Sequence, residues 1–134
     1  MTKKKEVELS NKDITVLVVE DEVLLADDIC SDIESLGYKV LEPALGYDDA
    51  IKAIETHKPD IAILDIVLDE ERDGIDLGKE INEKYKFPFI FLTSHSKRKL
   101  VERAADVFPA SYIMKPFRKD NIYAAIEIAP LSYL

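Results

Sequence analysis

The sequence predicts an α/β protein with a single five-stranded parallel sheet and helices on both faces. Three observations lead to this prediction. Short apolar runs rich in β-branched residues alternate with amphipathic stretches of helical periodicity, and this alternation occurs five times. The loops between them are only a few residues long, as in strand–helix–strand units joined by right-handed crossovers. The 134 residues suffice for one domain with a sizeable core.

The first two strand–helix units occupy the segment before residue 58. The run "ITVLVV" at 14–19 has no polar position, as expected for a strand buried on both faces. In "LLADDICSDIESLG", apolar residues recur at helical spacing, and Gly37 follows where a helix would end. The stretch "YKVLEPAL" predicts a weaker strand, because Pro43 indicates a sheet edge or an early end. A second helix is predicted in "YDDAIKAIETH".

Three further units complete the pattern. The strands are predicted in "IAILD", "FIFLT" and "SYIM". The helices that follow them are predicted in "GIDLGKEINEKY", "KRKLVERAADVF" and "KDNIYAAIEIA". In the first of these helices Leu77, Ile81 and Tyr85 recur at intervals of four, which is the spacing of a buried helical stripe.

Composition excludes several classes of function. The formal net charge is −9, from 27 acidic and 18 basic residues, and an acidic chain is poorly suited to bind a phosphate backbone. We therefore expect no direct nucleic-acid binding. No apolar segment approaches the roughly 20 residues that cross a bilayer, and no secretory signal is evident, so we expect no membrane association. One cysteine, Cys30, fits a reducing compartment, and we expect a cytoplasmic protein. Residues 1–12 are predicted to be a polar tail and 13–134 one domain, without an effector domain.

Polar residues follow four of the predicted strands. One aspartate after a strand is most often a turn residue. In a parallel sheet, however, all the carboxyl ends meet at one edge, where open α/β folds bind their ligands. The four polar endings are Glu20-Asp21-Glu22, Asp65, Thr93-Ser94 and Lys115-Pro116. Together they predict a site.

The residue types in this set indicate its chemistry. Clustered carboxylates repel one another unless a cation relieves them, and oxygen ligands suit Mg²⁺. A lysine and a hydroxyl supply hydrogen-bond donors to an anion. The sequence therefore predicts a Mg²⁺-assisted site at which an aspartate is phosphorylated, with catalysis by positioning and charge neutralisation.

Four motifs resemble those of the receiver domain of two-component response regulators. They are "VLVVEDE", "DIAILDI", "FIFLT" and "YIMKPF", and the resemblance extends from Asp13 to about Ala129. The spacings also match, with 44, 28 and 22 residues between the acidic pair, the phosphoacceptor, the hydroxyl and the lysine. The resemblance implies a flavodoxin-like (βα)5 fold. It also implies a signalling protein that accepts a phosphoryl group from a histidine kinase or a phosphotransfer protein, without being a turnover enzyme.

The resemblance further implies a role for each matching residue. Asp65 would be the phosphoacceptor, and Lys115, preceding a cis proline bond, would pair with the phosphoryl group. Thr93 and Tyr112 would form the switch, changing the face made by the fourth helix, fifth strand and fifth helix, which is also a candidate homodimer interface. The ligands of Mg²⁺ would be Glu20, Asp21, Asp65 and the backbone carbonyl of Val67. Val67 and His95 are candidates for tuning autodephosphorylation.

The loop after the phosphoacceptor departs from the family pattern. Asp69 replaces the usual proline, and Gly74 follows Asp65 by nine residues instead of eight, so the acidic loop Asp69–Asp73 contains one extra residue. A solvated turn is the simplest interpretation, and a second metal site or a partner-binding patch is the alternative.

Two other functions fit the sequence less well than the receiver does. A phosphatase of the haloacid dehalogenase type requires an acidic residue at the position of Val67 and enough chain for a cap domain. This sequence has neither. A dinucleotide-binding fold would want a G-x-G-x-x-G motif, which is absent from the sequence. Two variants of the receiver hypothesis stay open: a module excised from a longer transcriptional regulator that binds DNA, or an inactive receiver that serves as an interaction module.

Overall fold

The computed structural model describes residues 13–68, 72–94 and 98–130. Its sheet has five strands, all parallel, in the order β2-β1-β3-β4-β5. The strands are β1 Thr15–Val19, β2 Lys39–Val40, β3 Ile61–Asp65, β4 Phe89–Ser94 and β5 Ser111–Lys115. The helices are α1 Val23–Ser35, α2 Tyr47–His57, α3 Gly74–Glu80, α4 Arg98–Ala105 and α5 Lys119–Ile128. The predicted fold class is confirmed.

Two hydrophobic cores lie on opposite faces of the sheet. On one face, α1 and α5 contribute Ile29, Ile33, Ile122 and Ile126 to a core with alternate residues of the strands. On the other face, α2, α3 and α4 cover the remaining inward positions of the same strands, including Leu64. Because every residue of β3 is buried, its aspartate lies at the end of a strand that is covered on both faces.

The second strand is shorter than the sequence predicts. It pairs with β1 over only two residues, and the chain rejoins β1 through an isolated bridge between Val19 and Ala44. The Ala44 N–H donates to the Val18 carbonyl at 2.9 Å, just after Pro43, which has no N–H to donate. Both expectations for this segment are confirmed, since β2 is an edge strand and it ends early, at Val40.

The third helix ends differently from its prediction. Instead of continuing as an α-helix to Tyr85, it changes into a π-helical turn over Ile81–Tyr85, where the Lys86 N–H donates to the Ile81 carbonyl at 2.6 Å. Lys86 then adopts a left-handed conformation with φ 56°. The bounds of α2 and β3, in contrast, agree with the sequence prediction at both ends.

Several predictions fall on residues outside the described part of the chain. These are the polar tail at 1–12, His95, and the first three residues of the acidic loop, 69–71. Within the described ranges, no helix has both the length and the apolar character needed to cross a membrane.

Candidate functional site

The carboxyl ends of β1, β3, β4 and β5 surround a pocket of about 240 Å³. Strand register brings the ends together, since Val19 pairs with Leu64, Asp65 with Leu92, and Ser94 with Lys115. The residues that line the pocket are Asp21, Glu22, Asp65, Ile66, Val67, Thr93, Ser94 and Lys115. The site thus contains carboxylates, a hydroxyl and an ammonium group at one edge of the sheet.

Lys115 lies between two buried carboxylates. Its Nζ is 3.3 Å from Asp65 Oδ2 and 3.4 Å from Glu20 Oε1. Burial by itself lowers the pKa of Lys115, but attraction to Asp65 and Glu20 outweighs burial, and the net pKa lies above its ordinary value. The lysine is therefore charged at neutral pH. The peptide bond between Lys115 and Pro116 is cis, as the resemblance implies.

Glu20 is the most deeply buried acid of the site, with no exposed surface. Its Oε2 accepts a hydrogen bond from the Glu22 N–H at 3.0 Å, and its Oε1 faces Lys115. The pKa of Glu20 is raised to about 8, chiefly by burial; the hydrogen bond from the Glu22 N–H opposes this shift, and the nearby Asp65 carboxylate adds to it. Without a metal ion, the charged form of this carboxyl is therefore costly, even though Lys115 lies 3.4 Å away.

Three carboxylates form a cluster that suits a metal ion. Glu20, Asp21 and Asp65 each offer an oxygen, and these oxygens lie within 4.8 Å of one another. Asp21 is exposed, whereas Asp65 is 7% exposed. An all-oxygen donor set of this kind fits a hard cation such as Mg²⁺, which commonly takes one or two carboxylates and retains water ligands.

Thr93 is 3% exposed and places its side chain at the pocket. Among the described residues its Oγ1 has no hydrogen-bond partner. A buried hydroxyl without a partner costs about 1–3 kcal/mol. The threonine therefore offers a donor to an anion that enters the pocket.

Gly74 packs against the backbone at the end of β3. Its N–H donates to the Ile66 carbonyl at 2.7 Å. A Cβ on Gly74 would lie 2.1 Å from the carbonyl oxygen of Asp65, so only glycine allows this approach. The preceding Asp73 caps α3 by accepting from the Asp76 N–H at 3.0 Å. From the sequence, Gly74 could be assigned only to the loop after Asp65. Its contact with the Asp65 carbonyl depends on how that loop packs, which the sequence does not show.

Of the remaining predicted residues that the structure describes, Val67 lies at the pocket and Tyr112 does not. The Val67 N–H donates to Asp65 Oδ1 at 3.1 Å, and the Val67 side chain is 46% exposed at the pocket. Tyr112 is not part of the pocket lining. Its half-buried ring packs on the α2–α4 side of the sheet, with its centroid 6.3 Å from that of Phe91. Sequence reasoning gave Glu22 no role of its own, although it lines the pocket and its N–H holds Glu20.

Comparison with known proteins places this site in a family. The sequence model of the family "Response regulator receiver domain" matches residues 16–127, and the chain belongs to this family. It is 40% identical over 114 residues to the transcriptional regulatory protein PdtaR of Mycobacterium tuberculosis, covering 85% of this chain and 55% of that protein. It is 33% identical over 115 residues to the phyllosphere-induced regulator PhyR of Methylorubrum extorquens, covering 85% of this chain and 42% of that protein. The chain thus spans about half the length of these relatives.

Solved structures give the same assignment. The signal receiver domain of a modulated diguanylate cyclase from Desulfovibrio desulfuricans G20 matches with a TM-score of 0.82 and 34% identity, covering 90% of this chain and 96% of that one. The receiver domain of NtrX from Brucella abortus matches with a TM-score of 0.80 and 28% identity, covering 87% and 98%. The chain is a receiver domain of the two-component response regulators.

Proposed function

We propose that this chain is a phosphoacceptor switch in which Asp65 takes a phosphoryl group from a phosphohistidine of a sensor histidine kinase or a phosphotransfer protein. The observation that carries the proposal is the contact between the Asp65 carboxylate and Lys115 Nζ, 3.3 Å apart, in a pocket that Thr93 also lines. Receiver domains of response regulators interact with these two classes of partner, which supports the choice of donor.

The transfer requires few chemical participants from the protein. A carboxylate oxygen of Asp65 attacks the phosphorus, the P–N bond of the donor breaks, and the imidazole nitrogen keeps the electron pair. Lys115 provides positive charge for the phosphoryl oxygens, and the Thr93 hydroxyl donates a hydrogen bond to one of them. These contributions are positioning and electrostatic stabilisation, which dominate phosphoryl transfer. Attack by water on the acyl phosphate later returns the carboxylate and inorganic phosphate.

Glu20, Asp21, Asp65 and the Val67 carbonyl would hold Mg²⁺. When bound, the ion would supply positive charge that neutralises the carboxylates and the phosphoryl oxygens. The raised pKa of Glu20 supports this role, because burial beside Asp65 makes its charged form costly without a counter-charge. Lys115 alone provides one positive charge to the two acids that it contacts.

The switch would start at Thr93. Hydrogen bonding of its hydroxyl to the phosphoryl group would draw this residue toward Asp65, and the space it leaves would favour an inward position of the Tyr112 ring. The population of the protein would then shift between two states that differ in the face of α4, β5 and α5. The half-buried position of Tyr112, beside Phe91, supports such a movement.

Phosphoramidate, a small donor with a P–N bond, tests the proposal. Wild-type protein with Mg²⁺ should gain one phosphoryl group by intact mass spectrometry. Asp65→Asn should gain none, and chelation of Mg²⁺ should abolish the gain in wild type. Asp60→Asn is the matched control, since Asp60 is an exposed acid at the other end of β3 whose Oδ2 accepts from the Thr15 N–H at 2.8 Å. Equal labelling of Asp65→Asn and Asp60→Asn would refute the proposal.

The lifetime of the phosphorylated form is proposed to depend on two residues. Val67 is partly exposed at the pocket, where it could restrict the approach of water to Asp65. His95, two residues after Thr93, is proposed on its position in the sequence alone. Decay of the labelled protein at the wild-type rate in both Val67→Ala and His95→Ala would contradict this assignment.

The output of the switch is proposed from the relatives. PdtaR is named a transcriptional regulatory protein, and we propose transcriptional control as the purpose of this receiver too. The face of α4, β5 and α5 is proposed as the surface that changes its partner or forms a homodimer. Sedimentation of the phosphorylated and unphosphorylated chains tests the homodimer proposal. A larger species is expected only after phosphorylation.

A further inference from the structure

The fourth helix is the least buried helix of the described structure. Only Ala104 is buried among its eight residues, and its two large apolar residues, Leu100 and Val101, are half-buried. In comparison, α1 and α5 each bury three residues. Since hydrophobic burial holds α4 weakly, the polar contacts that reach it carry a larger part of its attachment.

One such contact comes from the π-helical turn after α3. The side-chain amide of Asn82 donates to the backbone carbonyl of Val107, 25 residues further along the chain. Val107 lies in the turn that ends α4, where its own N–H donates to the Ala104 carbonyl at 3.2 Å. The next residue, Phe108, has a left-handed backbone with φ 54° and is 81% exposed. Asn82 therefore holds the chain at the point where it turns from α4 toward β5.

A second contact comes from the start of α3. Asp73 Oδ2 pairs with Arg103 Nη1 on α4 at 3.7 Å, while Asp73 Oδ1 accepts from the Asp76 N–H. Asp73 precedes Gly74, which packs against the Asp65 carbonyl and donates to that of Ile66. The same carboxylate thus joins α4 to the segment that supports the phosphoacceptor.

We propose that α3 is a mechanical connection between the phosphoacceptor segment and α4, in which Asn82 and Arg103 are the positioning residues that hold α4 in its unphosphorylated place. Displacement of the Asp65 backbone on phosphorylation moves Gly74 and Asp73, and weakens the hold on α4. This part rests on the proposed function. The holding contacts themselves are a property of the unphosphorylated protein and are testable without phosphorylation.

Amide hydrogen exchange tests the holding contacts. In unphosphorylated protein, Asn82→Ala and Arg103→Ala should each raise exchange about threefold or more at Glu102, Ala104 and Ala105, whose N–H groups have acceptors within α4. Val18 in β1 should exchange at the wild-type rate. Asn82→Leu keeps the branched shape of the side chain without its donor and should behave like Asn82→Ala. Arg98→Ala is the control, because Arg98 lies on the same helix and none of the ion pairs among the described residues includes it. Wild-type exchange in α4 of all the Asn82 and Arg103 variants would overturn the proposal.

Phosphorylation provides the second measurement. In wild type it should raise exchange in α4, and in the double variant Asn82→Ala/Arg103→Ala the further increase should fall by at least half, because α4 is already released. Both proteins should be phosphorylated to the same extent. The same fold-increase in the double variant as in wild type would overturn the transmission through α3. If the wild-type protein is not phosphorylated at all, the proposed function is refuted instead. The hydrogen-exchange measurement on the unphosphorylated variants then still tests the holding contacts.

Discussion

Replacing Gly74 by alanine should damage both the stability and the reactivity of the site. The new Cβ would lie 2.1 Å from the Asp65 carbonyl oxygen and 2.9 Å from the Ile66 Cα, both of which are backbone atoms. Real Cβ contacts are essentially never shorter than 3.0 Å, so the two segments must separate by about 1 Å. No flexible side chain can absorb this movement, since the atoms belong to the backbone of Asp65 and Ile66.

The magnitude follows from two opposing effects. Alanine in place of glycine in the middle of a helix stabilises by about 0.5–1 kcal/mol, and Gly74, the first residue of α3, gains at most this much. Overpacking costs about 1–3 kcal/mol, and a contact with rigid backbone lies at the upper end of that range. The expected net loss is about 2 kcal/mol, or roughly a 30-fold lower ratio of folded to unfolded protein. With a urea dependence of about 2 kcal/mol/M, the midpoint should fall by about 1 M.

Reactivity should fall in the same variant. A displacement of about 1 Å at a reacting group can cost on the order of a hundredfold in rate, so phosphorylation of Asp65 by phosphoramidate should slow by about tenfold or more. Gly46→Ala is the matched control, because its Cβ would meet nothing within 4 Å and its φ of −170° suits any residue. A Gly74→Ala protein as stable and as reactive as Gly46→Ala would refute the packing argument.

Three further predictions concern the pocket and the switch. Thr93→Val removes a buried hydroxyl without a partner among the described residues, so urea unfolding should show a stability that is unchanged or up to about 1 kcal/mol greater. The phosphorylation-induced shifts of α4 in NMR spectra should be lost in this variant. A clear loss of stability would contradict the prediction for the hydroxyl. In metal-free protein, burial raises the pKa of Glu20 from 4.5 to about 8, so the contribution of this group to stability should decline as pH rises between these values. Glu20→Gln should flatten that decline, and an unchanged slope in urea titrations would argue against it. Tyr112→Ala should keep the wild-type phosphorylation yield but reduce the α4 shifts, and full wild-type shifts would exclude Tyr112 from the switch.

Local sequence patterns predicted the central strands and most helices well. Strands buried on both faces appear as unbroken apolar runs, which is why β3 could be placed to the residue. The π-helical turn at Ile81–Tyr85 was missed because the apolar spacing of four is the same for an α-helix that simply continues. Its consequence, the contact of Asn82 with Val107, depends on two segments that are distant in sequence.

The composition of the candidate site was predictable, but its internal contacts were not. Parallel topology alone brings Asp65, Thr93 and Lys115 to one edge, so their residue types sufficed to predict chemistry. The sharing of Lys115 between Glu20 and Asp65 depends on side-chain conformations that no pattern records. The close approach of Gly74 to Asp65 depends on how the loop packs, and the sequence carried only the glycine as its signal.

The most direct test of the central claim is to locate the phosphoryl group on the chain. Protein phosphorylated with Mg²⁺ and phosphoramidate should be reduced with borohydride, which converts an aspartyl phosphate to homoserine, and then digested for peptide mass spectrometry. The prediction is homoserine at Asp65 and unmodified aspartate at Asp21, the exposed acid of the same pocket. Modification at Asp21 alone, or no modification of a folded protein, would contradict the assignment of Asp65 as the phosphoacceptor.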